Sequence, residues 1–468
     1  MSGAFDLVLR HVQCGDRRAV DIGIKGGRFT AVAAKLPRCD NDMDGTDTLL
    51  HPGLHDHHIH VLATAARNES VDLSGLVSDE AIEAALQTKA ATLAPGAWLR
   101  ATGYDERAGG IPDRHHLDHW IADRPIRIQD RTGALWILNS AAIRQLGAPP
   151  YPEAVETDLQ GEPKGRIWRG DDWLRQRLGT QPPSLRPLSL ALARYGVTAV
   201  TDAGANNGPS EAAILCAALG RGSLLQKLTM MGREDLPDHP SYRRGPLKLL
   251  YDERDLPDPV VMATRIETAR SQARNVAAHC VTEAELVVYL AALELAGGAM
   301  EGDRIEHGSM IPAGLIADIA ASGLSVAANP GFIARRGDRY LAEVEPHAQP
   351  DLQRLRSLAA AGIPMLAGSD APYGPTNPWI AIAAAIHRKT QSGRTLNASE
   401  AVDPQTALSL FQGAGRIEIG APADCCLIDG NWQEQLATSS TTSQTPNPNP
   451  TPIALTLING TPLYSRGR

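Results

Sequence analysis

Apolar and polar side chains alternate along the first fifty residues, in "FDLVLRHV" and again in "AVDIGIKGGRFTAVAAKL". A period of two predicts short strands with one buried face, joined by glycine-containing turns. Two runs near the other end, "APADCCLIDG" and "PIALTLINGTPLY", also read as strands. Between those two lies "ATSSTTSQTPNPNPTP". Its Ser, Thr, Asn and Pro residues have no apolar face to bury, so a flexible loop is expected around residues 436–452. The two ends of the chain are thus expected to build one small β unit, from residues 1–50 and 413–468.

The centre, residues 51–412, changes character. Short apolar runs such as "GVTAVTDAG", "GPLKLLYDE", "NVAAHC", "DRIEHGS", "LSVAANP" and "IPMLAGSDAP" are each bounded by Gly, Pro or charge. Ala- and Leu-rich stretches with helical spacing lie between many of them, "TEAELVVYLAALELAG" being an example. Strand-then-helix alternation predicts an α/β fold with a parallel sheet and helical crossovers, and this many repeats favours a closed (β/α)8 barrel. Active-site residues of such a barrel lie at the C-terminal ends of its strands.

Polar residues fall at those ends repeatedly. His58 and His60 close the "LLHPGL" run one residue apart, and on an extended segment positions i and i+2 point to one side. His279 ends "NVAAH", His307 ends "RIEH" and Asp370 ends "PMLAGSD". Imidazole and carboxylate donors of this kind suit zinc or a similar divalent ion with one position left for water. Such a metal acidifies the water, and Asp370 can take its proton and hand it to a leaving amine. Lys248, inside "GPLKLL", is a costly ammonium for a barrel interior unless it is paired or modified. His55 and His57 would face away from His58 and His60 on a regular strand, which makes them bystanders.

Composition narrows the partners. The 468 residues carry 45 Lys and Arg against 53 Asp and Glu, a net charge of −8, with no basic block. A nucleic-acid or anionic-membrane surface is therefore not expected. The six cysteines show no C-x-x-C spacing, which fits reduced thiols in the cytoplasm better than a disulfide framework. No run of about 18 apolar residues and no basic leader followed by an apolar core is seen, so neither a membrane span nor a signal peptide is expected. Oligomeric state is left open, a homo-oligomer included.

"PGLHDHHIH" resembles the opening motif of the metal-dependent amidohydrolase superfamily, and "AAHC", "RIEHGS" and "AGSDAP" are similar to its later motifs. "GYDERAGGIPDRHHLD", "LWILNSAAI" and "GVTAVTDAG" resemble the family-3 branch, which includes N-substituted formamide deformylase. The resemblance implies a (β/α)8 barrel with a small β-sandwich from both termini. It also implies hydrolysis of a C–N bond, an amide or an N-formyl or N-acyl group of a small molecule. By the same resemblance His58, His60, His279, His307 and Asp370 hold one or two metal ions, and Lys248 matches a position that is often an N-carboxylated bridging lysine. Tyr104, Asp105, Trp136 and Asn329 stand as candidate substrate contacts. The chain departs from the pattern at Ala134, where relatives often have a substrate-contacting histidine, and in "HCVTEAE" after His279.

Two other functions compete. A deaminase of a small amine or heterocycle would need an acid near His279, and Glu283 is not at the usual offset. A catalytically silent barrel acting as a binding or scaffold protein would have little reason to keep the five ligand-type residues together.

Overall fold

The computed structural model describes residues 4–178, 182–251, 253–438 and 451–467. Two compact units emerge: residues 1–61 with 185–468, and residues 62–184.

In the first unit both ends of the chain join one mixed sheet. Its N-terminal strands are Leu7–Cys14, Arg17–Lys25, Arg28–Ala33, Asp42–Asp44 and Thr48–Pro52, and its C-terminal strands are Cys425–Asp429, Ile453–Ile458 and Thr461–Ser465. The ends meet where Thr48–Pro52 pairs antiparallel with Cys425–Asp429, from Cys425 opposite Pro52 to Asp429 opposite Thr48. The alternation in the sequence becomes a core in which Leu9, Ile22, Ile24, Phe29, Leu427 and Leu457 pack together. Gly26 and Gly27, with φ of +56° and +74°, make the hairpin turn after Lys25 that residues with a Cβ would resist. Of the expected loop at 436–452, residues 436–438 close the helix Trp432–Thr438, and 439–450 lie outside the described residues.

The same unit holds eight parallel strands in consecutive order: Leu54–Ile59, Val197–Asp202, Lys227–Gly232, Arg243–Leu249, Val276–Cys280, Arg304–His307, Ser325–Ala328 and Met365–Ala367. Most of their positions are buried on both faces, as parallel strands require. Helices cross between most of them. Pro259–Ser271 starts behind an Asp258 cap, and Glu283–Leu295 starts with a capping box in which Thr282 and Glu285 satisfy each other's backbone N–H. The connection between the third and fourth strands, residues 233–242, has no helix. The ring is nearly closed beyond the last strand, where Asp370 N–H donates to His58 O (2.7 Å) and His60 N–H to Ala371 O (2.9 Å). Asp56 reinforces this seam, its Oδ1 accepting from the backbone N–H groups of Ser369 (2.9 Å) and His58 (3.2 Å).

The first strand carries a bulge. Against Val197–Asp202 it lacks a residue between Leu54 and His55 and carries an extra one between Asp56 and Ile59, the stretch that holds His57 and His58.

Within the span 51–412 read as one barrel, residues 62–184 form the second unit. Its sheet runs Val155–Thr157, Pro163–Trp168, Leu135–Leu138, Ile126–Asp130, Leu99–Tyr104 and Val71–Asp72 in spatial order. Leu86, Leu99, Leu117, Ile126 and Ile128 anchor its own core.

Candidate metal centre

The chemistry-bearing residues of the first unit gather at the C-terminal ends of the barrel strands. His58 and His60 come from the end of the first strand, Lys248 and His279 from the penultimate positions of the fourth and fifth. His307 is the last residue of the sixth strand, and Asp370 follows the eighth by three residues. Strand register levels them: Lys248 pairs with Ala277, Cys280 with His307, and His307 with Ala328. His307 and Asp370 both hold left-handed backbone, at φ of 68° and 48°. Each such residue stores of order 1 kcal/mol, which the packed strand ends hold in place.

Three side chains converge. Ligand atoms of His58, His307 and Asp370 lie within 4.8 Å of one another, and all three residues are buried. His60 approaches from the side, its Nε2 3.1 Å from Asp370 Oδ1, and His279 stacks edge-on to His307 with centroids 4.5 Å apart. Lys248 Nζ lies deeper, 3.8 Å from Glu306 Oε2.

Neighbours aim the ligand atoms. Fully buried Glu306 accepts a hydrogen bond from His58 Nδ1, which fixes the proton there and leaves the Nε2 lone pair facing Asp370. Arg304 holds Glu306 through its Nε at 2.7 Å and donates to His57 O at 3.0 Å. Asn329 does for His307 what Glu306 does for His58: its Oδ1 takes the Nδ1 proton at 2.7 Å, while its Nδ2 donates to Gly368 O at 2.9 Å.

The electrostatics follow from this wiring. Burial works against ionisation of Glu306, yet Arg304, Lys248 and His58 together hold it well below the ordinary carboxyl range. Asp370 is likewise kept ionised against its burial, by the imidazoles of His58, His60 and His307 that surround it. Burial first, and then Lys248, pushes His279 down to about 4, so this imidazole is neutral and able to donate a lone pair. The Lys248 ammonium is also destabilised by burial, with Glu306 offsetting part of the loss.

A divalent ion fits these residues. His58 Nε2 and Asp370 Oδ1 are buried without a hydrogen-bond partner, as is Lys248 Nζ. Buried polar atoms are nearly always satisfied, and two orphaned donors of electron pairs beside the His307 ring are what a cation would complete.

The other expected residues are held by contacts of their own. Asn329, read as a candidate substrate contact, is fully buried and spends its amide on His307 and Gly368. Tyr104, Asp105 and Trp136 belong to the second unit. Tyr104 packs in its core with the hydroxyl on Gly110 O, and Asp105 caps residues 106–108 and pairs with Arg107. Trp136 is buried beneath the guanidinium groups of Arg100 and Arg127. Cys280 is a buried thiol whose pKa burial drives well up, which removes it as a nucleophile. The acid facing His279 is Glu285, at 3.8 Å, rather than Glu283; its other oxygen is taken by the N–H groups of Val281 and Thr282. His55 and His57 stack on each other at 4.0 Å and bond Thr201 and Gln412 O, away from the three converging ligands. Glu306 and Arg304 are the functional pair that sequence reasoning passed over or read as structural. Their i, i+2 spacing on a strand with no exposed position was the available signal.

Comparison with known proteins agrees with this geometry. An N-substituted formamide deformylase of Arthrobacter pascens is 24% identical over 505 residues, covering 90% of this chain and 92% of the relative. A solved metal-dependent hydrolase of Pyrococcus horikoshii OT3, itself uncharacterized, superposes with a TM-score of 0.74 at 16% identity over 93% of this chain and 99% of that one. A second, from Pyrococcus furiosus, gives 0.71 at 19% identity over 90% and 98%. At these identities the structures speak to the fold alone. The amidohydrolase family model matches residues 43–464, and the chain, with its eight parallel strands and its His58, His307 and Asp370 cluster, belongs to the amidohydrolase family.

Proposed function

We propose that the protein is a metal-dependent hydrolase that cleaves the C–N bond of a small N-acyl or N-formyl compound. The observation that carries this reading is the pair of buried, unpartnered atoms, His58 Nε2 and Asp370 Oδ1, converging with His307. His58, His307 and Asp370 would hold the ion, with His60 and His279 beside them. The all-nitrogen and oxygen donor set favours zinc, as one or two ions per chain. A bound divalent ion supplies Lewis-acid polarisation of the scissile carbonyl and acidifies water.

The chain's own groups do the rest. Glu306 and Asn329 keep the Nδ1 protons of His58 and His307 in place, so both rings present Nε2. Asp370, ionised at rest, takes the proton as water oxygen bonds to the carbonyl carbon. It then delivers that proton to the departing nitrogen as the C–N bond breaks, giving carboxylate (or formate) and amine. Lys248, carboxylated on Nζ, would become an anionic oxygen donor, which removes the cost of burying an ammonium. The terminal sheet would be the small β-sandwich of the family, and the six free thiols suit a cytoplasmic enzyme. Among the described residues no helix is long and apolar enough to cross a membrane.

Metal analysis of purified protein should find one or two divalent ions per chain, lost in His307→Ala, and a screen of formamides, N-acyl amino acids and cyclic amides should release amine. Intact mass should show one added carboxylate, absent from Lys248→Ala. A folded protein that holds no divalent ion overturns the reading.

A further inference from the structure

The barrel has a second polar mouth. At the N-terminal ends of its strands lies a cavity of about 680 Å³, lined by His55, His57, Thr201, Thr229, Arg243 and their neighbours. All of them belong to the first unit. The first strand serves both ends: His55 and His57 line this cavity, while His58 and His60 lie beyond the bulge at the candidate metal centre.

Charge in the cavity is one-sided. Arg243, Arg244, Arg274 and Arg304 line it, with Asp238 as the one carboxylate. Asp238 is matched by Arg244 at 3.0 Å, and Arg304 is matched by Glu306. Two cations remain. Arg274 is buried and spends its guanidinium on the backbone carbonyls of Gly232, Arg233, Gly245 and Pro246, with no carboxylate in ion-pair contact among the described residues. Burial, and then the field of Arg244, draws its pKa down to about 10, with Glu234 and Asp238 opposing part of the shift. Arg243 is exposed, and its guanidinium makes no hydrogen bond or ion pair among the described residues.

The unspent donors are aligned. Thr201 and Thr229 are register partners on the second and third strands, and Thr229 and Arg243 are partners on the third and fourth. Partners on parallel strands present side chains to the same face, so hydroxyl, hydroxyl and guanidinium form one row across the cavity wall. Thr201 is engaged by His55 at 2.8 Å, which leaves the Thr229 hydroxyl and the Arg243 fork facing the cavity.

We propose that this cavity is a second binding site, for a small doubly charged anion, phosphoryl or dicarboxylate, gripped by Arg243 and Thr229 at the end of the barrel opposite the metal centre. Guanidinium recognises both chemistries through paired N–H···O bonds, and the volume lies in the range of small-molecule sites. The site stands whether or not the hydrolase reading does.

Isothermal titration of the metal-loaded protein with inorganic phosphate, and separately with malonate, tests it. One or both anions should bind saturably at one site, and the tighter arm identifies the chemistry. Arg243→Gln should weaken that binding about tenfold or more, as loss of a charged hydrogen bond does, and Thr229→Val severalfold, with metal content unchanged in both. Both substitutions leave the core volume intact, and melting curves verify the fold. Absence of saturable binding by either anion overturns the proposal, as does wild-type affinity in Arg243→Gln, which would locate any bound anion elsewhere.

Discussion

Replacing Glu306 by Gln tests whether the metal centre is held from below. The side chain is wholly buried, bonded to His58 Nδ1 and to Arg304, with the Lys248 ammonium 3.8 Å away. At an effective dielectric constant of about 20, opposite charges at that separation attract by about 4 kcal/mol. Gln keeps the volume and removes the charge, so Lys248 and Arg304 lose their buried counter-ion. Breaking one partner out of a buried ionic network costs about 3–5 kcal/mol. His58 suffers separately. A Gln amide can turn its N–H₂ toward Nδ1, which moves the ring proton to Nε2 and takes the lone pair away from Asp370. Loss of a hydrogen bond that orients a ligand histidine typically costs about 10–100-fold in metal affinity. Glu306→Gln should therefore lower the urea midpoint clearly and weaken metal binding in that range, read by competition with a chromophoric chelator. Wild-type metal affinity together with a wild-type midpoint would refute the reasoning.

The seam and the acid limit offer two more predictions. A Cβ added at Gly368 would lie 2.4 Å from both the Cβ and the backbone nitrogen of His58, so Gly368→Ala should cost about 1–3 kcal/mol or more and release metal as His58 shifts; an unchanged melting temperature and metal content would count against it. Hydrogen bonds from Arg107, opposed by partial burial, hold Asp105 at about 2, below the ordinary carboxyl value of about 3.9. Its contribution to stability is therefore complete above about pH 4 and is lost as pH falls from there toward 2, so Asp105→Asn should flatten the stability slope in that window, followed by tryptophan fluorescence.

Several features were legible in the chain itself. One histidine at a strand end is more often structural than a ligand, but His58, His279 and His307 recur at successive strand ends, and that recurrence is what the sequence makes legible. The two-residue period at the termini likewise predicts the sheet that joins them. Glu306 was not legible as a partner of His58, since the two are 248 residues apart in sequence and only the barrel brings them together. Asn329 before Pro330 looks like a turn residue because local rules favour that use, while its actual task is set by His307 on the adjacent strand. The bulge escapes any periodicity argument, because nothing in the alternation marks where a residue is inserted between Asp56 and Ile59. The unit at 62–184 hides in the same way, because its short strands resemble those of the barrel that encloses it in sequence.

The placement of the seam also bears on how the protein is made. Leu54–Ile59 is synthesised early, yet its partner on one side begins at Val197, beyond the whole second unit, and on the other side the seam is closed only by residues 368–371. During translation the second unit can fold as soon as it emerges, since its strands pair only among themselves. The barrel must wait, with the first strand's edges unpaired for most of elongation. Asp370 is the last of the cluster to leave the ribosome, so the three converging ligands cannot come together on an incomplete barrel. The cluster is thereby tied to synthesis through residue 370, and a product terminated before that point lacks one of its three converging side chains.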